Sequence, residues 1–194
     1  TDTIAIVTTT DFANMTAASF NEIEKIEFTG ANQTGTFTGA QLTAETLNLT
    51  ETAAGTSNVI INVGSGTTAT FANVTASTFT SGSDTITING AGGDETITGP
   101  NISSTINGIS GDDLIIGGSA NDTLDGGVGT DTISYTNAGS DITCDLSNSS
   151  QQNTVGAGLD TISNFVNLIG SNHNDTLTGD TNANTISAGT GNDT

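Results

Sequence analysis

Acidic side chains recur at a fixed spacing in the middle of the chain, where they are suited to binding a metal ion. Residues 90–134 divide into five consecutive nine-residue units, GAGGDETIT, GPNISSTIN, GISGDDLII, GGSANDTLD and GGVGTDTIS. The sixth position of these units reads Glu95, Ser104, Asp113, Asp122 and Asp131. Oxygen ligands without His or Cys clusters favour a hard cation such as Ca²⁺ over zinc or iron. The spacing therefore predicts calcium chemistry.

The eighth position of each unit is a large aliphatic residue, namely Ile97, Ile106, Ile115, Leu124 and Ile133. The first six positions are rich in Gly, Asn, Ser and Asp, which tolerate tight turns and left-handed backbone. The last three positions read as a short strand whose middle side chain points inward. Two units then form one coil of eighteen residues. The aliphatic stack becomes a thin core between two parallel sheets.

An eighteen-residue coil places Glu95, Asp113 and Asp131 in one column, with Ser104 and Asp122 in the opposite column. Neighbouring strands lie about 4.8 Å apart. Stacked carboxylates at that distance repel by roughly 3 kcal/mol per pair at an effective dielectric constant of about 20. A dication between the turns converts this repulsion into attraction, and glycine-rich turns can supply carbonyl oxygens to complete its shell.

These units resemble the RTX (repeat-in-toxin) nonapeptide, GGxGxDxUx with U a large aliphatic, which is calcium-binding. The resemblance implies an all-β, right-handed parallel β-roll or β-solenoid that binds several Ca²⁺ ions in its Gly/Asp-rich turns. The predicted side-chain ligands are Glu95, Asp113, Asp122, Asp131, Asp160, Asp175, Asp193, Asp84 and Asp2. The predicted carbonyl ligands belong to Gly90, Gly92, Gly108, Ser110, Gly111, Gly117, Gly118, Gly126, Gly127, Gly129, Gly156 and Gly158.

A second repeat block follows an insertion. After Ser134 come YTNAGSDITCDLS, a polar stretch over 148–154, and then VGAGLDTIS, NFVNLI, GSNHNDTLT, GDTNANTIS and AGTGNDT. This order resembles a module of bacterial RTX surface proteins. Asp160 and Asp175 are fifteen residues apart, so NFVNLI, with Phe165, Leu168 and Ile169 expected inward, interrupts the register. Asn184 lacks a charge at the sixth position.

The first part of the chain lacks the glycine motif but keeps short alternating strands, which argue for β structure. Its expected anchors are Phe28, Phe37, Leu47, Ile60, Phe71, Phe79 and Ile86. We interpret residues 1–81 as a metal-poor continuation of the solenoid, with a separate β-sandwich as the alternative. Residues 11–23 are expected to form a short helix or wide loop, and Asp84 lies in a degenerate first repeat. The further predicted segments are 82–134 (first block), 135–159 (strand and insertion) and 160–194 (second block).

The composition excludes several functions. The chain has a net charge of −20 with one basic residue, Lys25, so it cannot neutralise the phosphates of nucleic acid or an anionic membrane. No apolar run is long enough to span a membrane, and any export signal is expected outside this chain. Cys144 is the sole cysteine and His173 the sole histidine. We expect Cys144 to be buried, His173 to be exposed in a loop, and the chain not to be an enzyme, because no catalytic motif is present.

Three functions remain open. The first is a calcium-dependent segment of a secreted or cell-surface bacterial protein, such as an S-layer, sheath, filament or large adhesin, that associates with itself or with neighbouring repeats. The second is the carboxyl-terminal folding and export module of an RTX enzyme or toxin. In either case we expect export by a type I system whose signal lies outside this chain. The third is an adhesion module for sugar or ice, which requires a more regular Thr-rich face than the sequence shows. Both termini read as lying inside repeats, so we expect a longer array.

Overall fold

A computed structural model describes residues 2–20, 22–43, 45–79 and 83–194. The boundary predicted between residues 81 and 82 lies outside these described residues. In the first part, the strands are β1 (Asp2–Ile6), β2 (Thr10–Asp11), β3 (Ile23–Phe28), β4 (Thr34–Thr38), β5 (Leu47–Glu51), β6 (Asn58–Asn62), β7 (Thr68–Thr70) and β8 (Val74–Ala76). A 3₁₀ helix spans Ala17–Phe20, and the short helix α1 spans Gly39–Leu42.

The remaining strands are mostly three residues long, as the nonapeptide predicts. They are β9 (Thr85–Asn89), β10 (Thr96–Thr98), β11 (Thr105–Asn107), β12 (Leu114–Ile116), β13 (Thr123–Asp125), β14 (Thr132–Ser134), β15 (Thr143–Asp145), β16 (Gln152–Val155), β17 (Gly158–Ser163), β18 (Asn167–Ile169), β19 (Thr176–Thr178) and β20 (Thr185–Ser187).

The repeats form a two-sided parallel β-roll, which confirms the predicted fold class. Successive strands from β9 to β14 alternate between two sheets, and each strand from β9 to β12 pairs with the strand eighteen residues further on, as Thr87 does with Thr105 and Thr96 with Leu114. The eighth-position aliphatics are fully buried between the sheets. The two-unit coil inferred from the sequence is therefore the repeating unit of this part of the fold.

The first part of the chain stacks on the repeats in the same solenoid. An eight-stranded sheet runs in the order β16-β17-β13-β11-β9-β6-β4-β2, and only its β16–β17 pair is antiparallel. A second sheet, β1-β3-β5-β8, covers another face of the first part and ends there. A third, β20-β18-β14-β12-β10-β7, begins at β7 and continues through the repeats. The shared sheets identify a continuous solenoid and not a separate β-sandwich.

Coils in the first part are longer than those of the repeats. Paired strands there are 21 to 28 residues apart, as between Asp2 and Ile23 or Thr68 and Thr96. The extra length forms α1, which the sequence did not predict, and the 3₁₀ helix, which lies inside the expected helix or loop of residues 11–23. The Gln41 side chain of α1 donates hydrogen bonds to the carbonyls of Phe12 and Met15 and ties the two segments together.

Most predicted core anchors are buried, but three are not. Val59 and Ile61 point inward, so Ile60, which lies between them, points outward, because side chains alternate along a strand. The prediction for Ile60 was wrong by one residue. Ile169 is wrong for the same reason, since its neighbour Leu168 takes the inward place. Phe79 is half-buried and packs against Phe28, with ring centroids 5.7 Å apart.

The insertion after β14 contributes a β-hairpin to the eight-stranded sheet. Strand β17 pairs with β13, whose residues lie 38 positions earlier, and β16 folds back antiparallel on β17. Strand β15 pairs with β19 in a separate two-stranded sheet. The described residues contain no helix long and apolar enough to cross a membrane.

Candidate metal sites

The sixth-position carboxylates form a ladder along the solenoid, as the eighteen-residue coil predicts. In the first column, the Asp113 carboxylate accepts the backbone N–H of Glu95 through Oδ1 at 2.7 Å. The Asp131 Oδ1 accepts the N–H of Asp113 at 2.8 Å in the same way. Each acid thus uses one oxygen to hold the turn of the preceding coil.

The opposite column is built by the same rule. Asp122 Oδ1 accepts both the N–H and the hydroxyl of Ser104, at 2.8 and 3.0 Å, and Asp160 Oδ1 accepts the N–H of Asp122 at 3.0 Å. Asp160 is 38 residues from Asp122 because the hairpin insertion lies between them. The order of this second column is therefore Ser104, Asp122 and Asp160.

A third column lies in the second block. Asp175 Oδ1 accepts the N–H of Ile142, and Asp193 Oδ1 accepts the N–H of Asp175, both at 2.8 Å. Asp160 and Asp175 therefore belong to different columns. The fifteen-residue gap between them in sequence marks a change of column.

The second carboxylate oxygens of Asp113, Asp122 and Asp131 have no hydrogen-bond partner. All three Oδ2 atoms are buried, and no protein donor reaches them. Buried polar atoms are nearly always satisfied by hydrogen bonds, and buried charges are paired or bind metals. Buried, unpartnered anionic oxygens in both columns are the arrangement that cations would satisfy.

The pKa values of these three acids are raised, as expected for buried carboxylates whose second oxygen lacks a donor. Burial raises the pKa of Asp113 from 3.8 to about 6 and that of Asp122 from 3.8 to about 7, and it also raises the pKa of Asp131. The backbone N–H bonds oppose the shift, and neighbouring carboxylates add to it. A bound dication would offset both the burial and the repulsion, because it favours the ionised form.

Glycine at the first position has no Cβ atom, which leaves room in the turn for these carboxylate oxygens. A Cβ atom on Gly108 would clash with both Asp113 Oδ2 and the carbonyl oxygen of Gly126. A Cβ on Gly117 would lie 2.9 Å from Asp122 Oδ2. A carboxylate oxygen and a carbonyl oxygen thus share one small space, which suits the all-oxygen shell of calcium. Asp113, Asp122 and Asp131 would hold the ion together with such carbonyls.

The other predicted carbonyl ligands lie in the same turns. Gly111, Gly118, Gly127, Gly129 and Gly158 have positive φ angles, and each passes close to a carbonyl oxygen of the preceding coil. Gly90 and Gly126 occupy first positions like Gly108, while Gly92 and Ser110 form a parallel bridge between coils. Gly156 lies against Ser140. Their assignment as ligands stays a prediction.

Several predicted side-chain ligands have both oxygens satisfied by protein donors. Glu95 accepts the N–H of Gly66 at 2.6 Å and that of Ala91 at 2.8 Å. Asp175 accepts the N–H of Ser171 through Oδ2 and the N–H of Ile142 through Oδ1. Asp160 accepts the N–H of Asp122 through Oδ1, and its Oδ2 lies within hydrogen-bond distance of two hydroxyls. For these residues the predicted role as ligands is not tested by the fold.

The remaining predicted ligands lie apart from the columns of the first block. Asp2 begins β1 in the first part, and its N–H bonds to Glu24. Asp84 is buried and accepts the N–H of Ser57 at 2.8 Å. Asp193 forms the last rung of the third column. Within the described residues, no three His, Cys, Asp or Glu side chains converge to hold a metal by themselves. Any ion here requires backbone oxygens.

The sequence reasoning missed a second ladder at the fifth position. Asp94 Oδ1 accepts the N–H of Asp112 at 2.9 Å, and Asp112 Oδ1 accepts that of Thr130 at 2.7 Å. Asn121 Oδ1 accepts the N–H of Leu159 at 2.9 Å. In this ladder the N–H of the later coil donates to the side chain of the earlier coil, which is the reverse of the sixth-position ladder. Short Asp and Asn side chains at the fifth position were its visible signal.

Comparison with protein families agrees with this geometry. The family model of the RTX calcium-binding nonapeptide repeat matches four copies, over residues 104–133 and 168–194. The chain carries RTX calcium-binding repeats. The first RTX match contains Asp113, Asp122 and Asp131, the acids with unpartnered oxygens. Neither the curated proteins nor the solved structures gave a match to the chain.

The RTX match identifies calcium as the cation that this family of repeats binds. RTX repeats are typical of secreted bacterial proteins. The lone His173 is exposed in its loop and Cys144 is buried, as expected. Burial raises the pKa of the Cys144 thiol to about 12, so the thiol is unreactive near neutral pH.

Proposed function

We propose that the chain is a calcium-dependent structural segment of a secreted or cell-surface bacterial protein, such as an S-layer, sheath, filament or large adhesin. Calcium orders the RTX coils into a rod, and the chain has no catalytic role. The observation that carries the proposal is the set of three buried, unpartnered carboxylate oxygens on Asp113, Asp122 and Asp131. Such oxygens destabilise the folded chain unless a cation binds them.

The stacked architecture supports a structural role over a catalytic one. The acids with raised pKa values in the first block lie in ladders that link successive coils. Their Oδ1 atoms are engaged by backbone N–H groups, so they are positioned to stabilise turns. The eight-stranded sheet, which includes strands from β2 to β17, links these coils to the first part of the chain.

Calcium binding would then be coupled to folding. The site is absent from the unfolded chain, so the free energy of binding adds to the free energy of folding. Extracellular calcium modules bind at about 10⁻⁴–10⁻³ M. At a lower calcium concentration the RTX coils are expected to unfold, which would favour folding after export.

A calcium titration followed by far-ultraviolet circular dichroism tests this function. The complete chain should lose β signal in chelator and regain it at millimolar calcium. Asp113→Asn should raise the calcium midpoint at least about tenfold, because ligand charge sets the affinity of such sites.

Asp11→Asn is the matched control, since Asp11 is exposed in the first part and its Oδ1 acceptor role toward Ala13 survives the change. Its midpoint should equal that of the wild type. A wild-type spectrum that is the same in chelator and in calcium would contradict the proposed function.

A further inference from the structure

Asp160 follows Asp122 in the second column, but protein donors satisfy its whole carboxylate. Oδ1 accepts the N–H of Asp122 at 3.0 Å. Oδ2 lies 3.0 Å from the hydroxyl of Thr154 and 3.4 Å from that of Tyr135, and both hydroxyls can donate to it. Asp122, one rung away, has the same Oδ1 contact but an unpartnered Oδ2. The two neighbouring acids therefore differ in what their second oxygen meets.

The donors to Asp160 are buried and are placed by the hairpin. Thr154 lies on β16 and is fully buried, and Tyr135 directly follows β14 with 4% of its surface exposed. The Thr154 hydroxyl also lies 2.9 Å from the carbonyl of Gly158. Its single proton is shared between the two acceptors, of which the ionised carboxylate is the stronger. Protein hydroxyls thus occupy the side of Asp160 where a cation would lie.

The same hairpin ends the parallel stacking of the sheet. Asp160 on β17 pairs with Gln152 on the antiparallel strand β16. The Gln152 amide accepts the N–H of Asp145 at 2.8 Å and donates to the Asp145 carbonyl at 3.1 Å. The hairpin is therefore fixed to β15 by a side chain that bonds both backbone groups of one residue. Asp160 therefore lies where parallel pairing ends in the eight-stranded sheet.

The first column begins with an acid whose two oxygens are likewise satisfied by protein donors. Glu95 precedes Asp113, and its two oxygens accept backbone N–H groups from Gly66 and Ala91. Gly66 lies in the turn before β7, in the first part of the chain. Each of the two columns of the first block thus has at one end an acid whose second oxygen has a protein donor, whereas the second oxygens of Asp113, Asp122 and Asp131 have none.

We propose that Asp160, held by Thr154 and Tyr135, is a metal-free stop that limits calcium binding in this block to the turns of Asp113, Asp122 and Asp131. Glu95 is the corresponding stop at the other boundary. This inference rests on the proposed function, because a stop has meaning only where neighbouring turns bind calcium. It assigns to Asp160 and Glu95 a role that the nonapeptide pattern alone does not distinguish from that of a ligand.

The decisive comparison is between Asp160→Asn and Asp122→Asn in the complete chain, with bound calcium counted by titration calorimetry. Asn at 160 keeps Oδ1 as the acceptor for the Asp122 N–H, and its Nδ2 can donate to either hydroxyl. We expect Asp160→Asn to keep the wild-type number of ions and to shift the midpoint less than Asp122→Asn does, since the lost charge lies one rung from Asp122 but binds no ion itself. Asp122→Asn should lose bound calcium and raise the midpoint at least about tenfold.

Thr154→Val provides a second readout that does not depend on Asp160 variants folding. It should lower the thermal midpoint at saturating calcium while leaving the number of bound ions unchanged. A loss of calcium in Asp160→Asn that matches the loss in Asp122→Asn would overturn the stop. A wild-type chain that binds no calcium would instead overturn the proposed function, and the Thr154→Val thermal midpoint would still report on the hairpin.

Discussion

The two halves of this solenoid stack their coils alike but stabilise them differently. In the first part, long coils enclose an aromatic core in which Phe37 lies 4.9 Å from Phe12 and 5.9 Å from Phe20, measured between ring centroids. In the first repeat block (residues 82–134, hereafter the RTX block), each three-residue strand contributes one buried aliphatic side chain, and acidic side chains are buried in the turns. The first part thus has an apolar core of its own, whereas the block depends on what its turns bind.

The turns make the contrast sharper. In the first part, the neutral side chain of Asn32 accepts the N–H of Thr56 from the next coil at 2.9 Å. In the block, Asp112 accepts the N–H of Thr130 in the same manner, and Asp131 accepts that of Asp113 from the opposite direction. A neutral amide makes this contact without leaving a charge behind. Stacking therefore does not require acids, and the second carboxylate oxygen is the group that calcium would neutralise.

The largest expected effect comes from the aromatic core. Phe37→Ala should reduce the free energy of unfolding by about 3–5 kcal/mol, through lost burial and the cavity left behind. The reduction should be similar in calcium and in chelator, as measured by denaturant unfolding monitored on the first part. A Phe37→Ala calcium midpoint raised as far as that of Asp113→Asn would contradict this contrast, because calcium-dependent folding would then depend on the aromatic core.

A substitution at Asp131 should convert a calcium-dependent turn into an independent one. Asn184 is a neutral residue at the same sixth position, and its Nδ2 donates to the carbonyl of Val166 in the preceding coil at 2.9 Å. Asp131→Asn should therefore stabilise the metal-free chain by about 1–3 kcal/mol, by removing a buried unsatisfied charge. The same variant should gain less stability on calcium addition, as measured by thermal unfolding in both conditions. Equal calcium stabilisation of variant and wild type would contradict the assignment of Asp131.

The open face of Gly108 can be closed with a single methyl group. Gly108→Ala should cost about 1–3 kcal/mol through overpacking, because the new Cβ meets the Gly126 carbonyl and Asp113 Oδ2. It should also weaken calcium binding. Gly139→Ala is the control, since nothing lies within 4 Å of the added atom. A Gly108→Ala variant whose calcium affinity matches that of the control would argue against this face as part of the site.

The smallest effect is the pH dependence of the metal-free chain. Asp113 and Asp122 have folded-state pKa values of about 6 and about 7, above the usual 3.8. A raised pKa makes the folded chain bind protons more tightly than the unfolded chain, so this contribution to stability is present below pH 3.8 and is lost as pH rises toward 7. In chelator, the β signal of the RTX block should therefore be present at about pH 4 and be lost as pH rises to about 7. Saturating calcium should prevent this loss, because the ion binds the ionised acids.

Local periodicity in the sequence predicted the block well. The aliphatic positions from Ile97 to Ile133 and the column of Asp113 and Asp131 follow from the nine-residue spacing alone, since each coil repeats the one before. In the first part, the inward phase of NVIINV was ambiguous, because three adjacent aliphatics fit either face. The pairing of Phe37 with Ile61 fixes that phase, and this pairing is a non-local contact.

Sequence reasoning could not place the hairpin partners of Asp160. Its position in the column of Asp122 depends on a β-hairpin inserted between them, and its donor Tyr135 directly follows β14, a strand of another sheet. The nonapeptide pattern gives Asp122 and Asp160 the same sixth position. Only the three-dimensional contacts distinguish an acid with an unpartnered oxygen from one satisfied by hydroxyls.

Hydrogen–deuterium exchange of the complete chain, with and without calcium, tests the central claim most directly. Removing calcium should abolish amide protection over residues 83–134, including the ladder N–H groups of Asp113 and Asp122, while residues 23–62 should keep theirs. Protection of the repeat block that is equally strong in chelator and in calcium would contradict the account, because it would mean that the buried carboxylates need no cation.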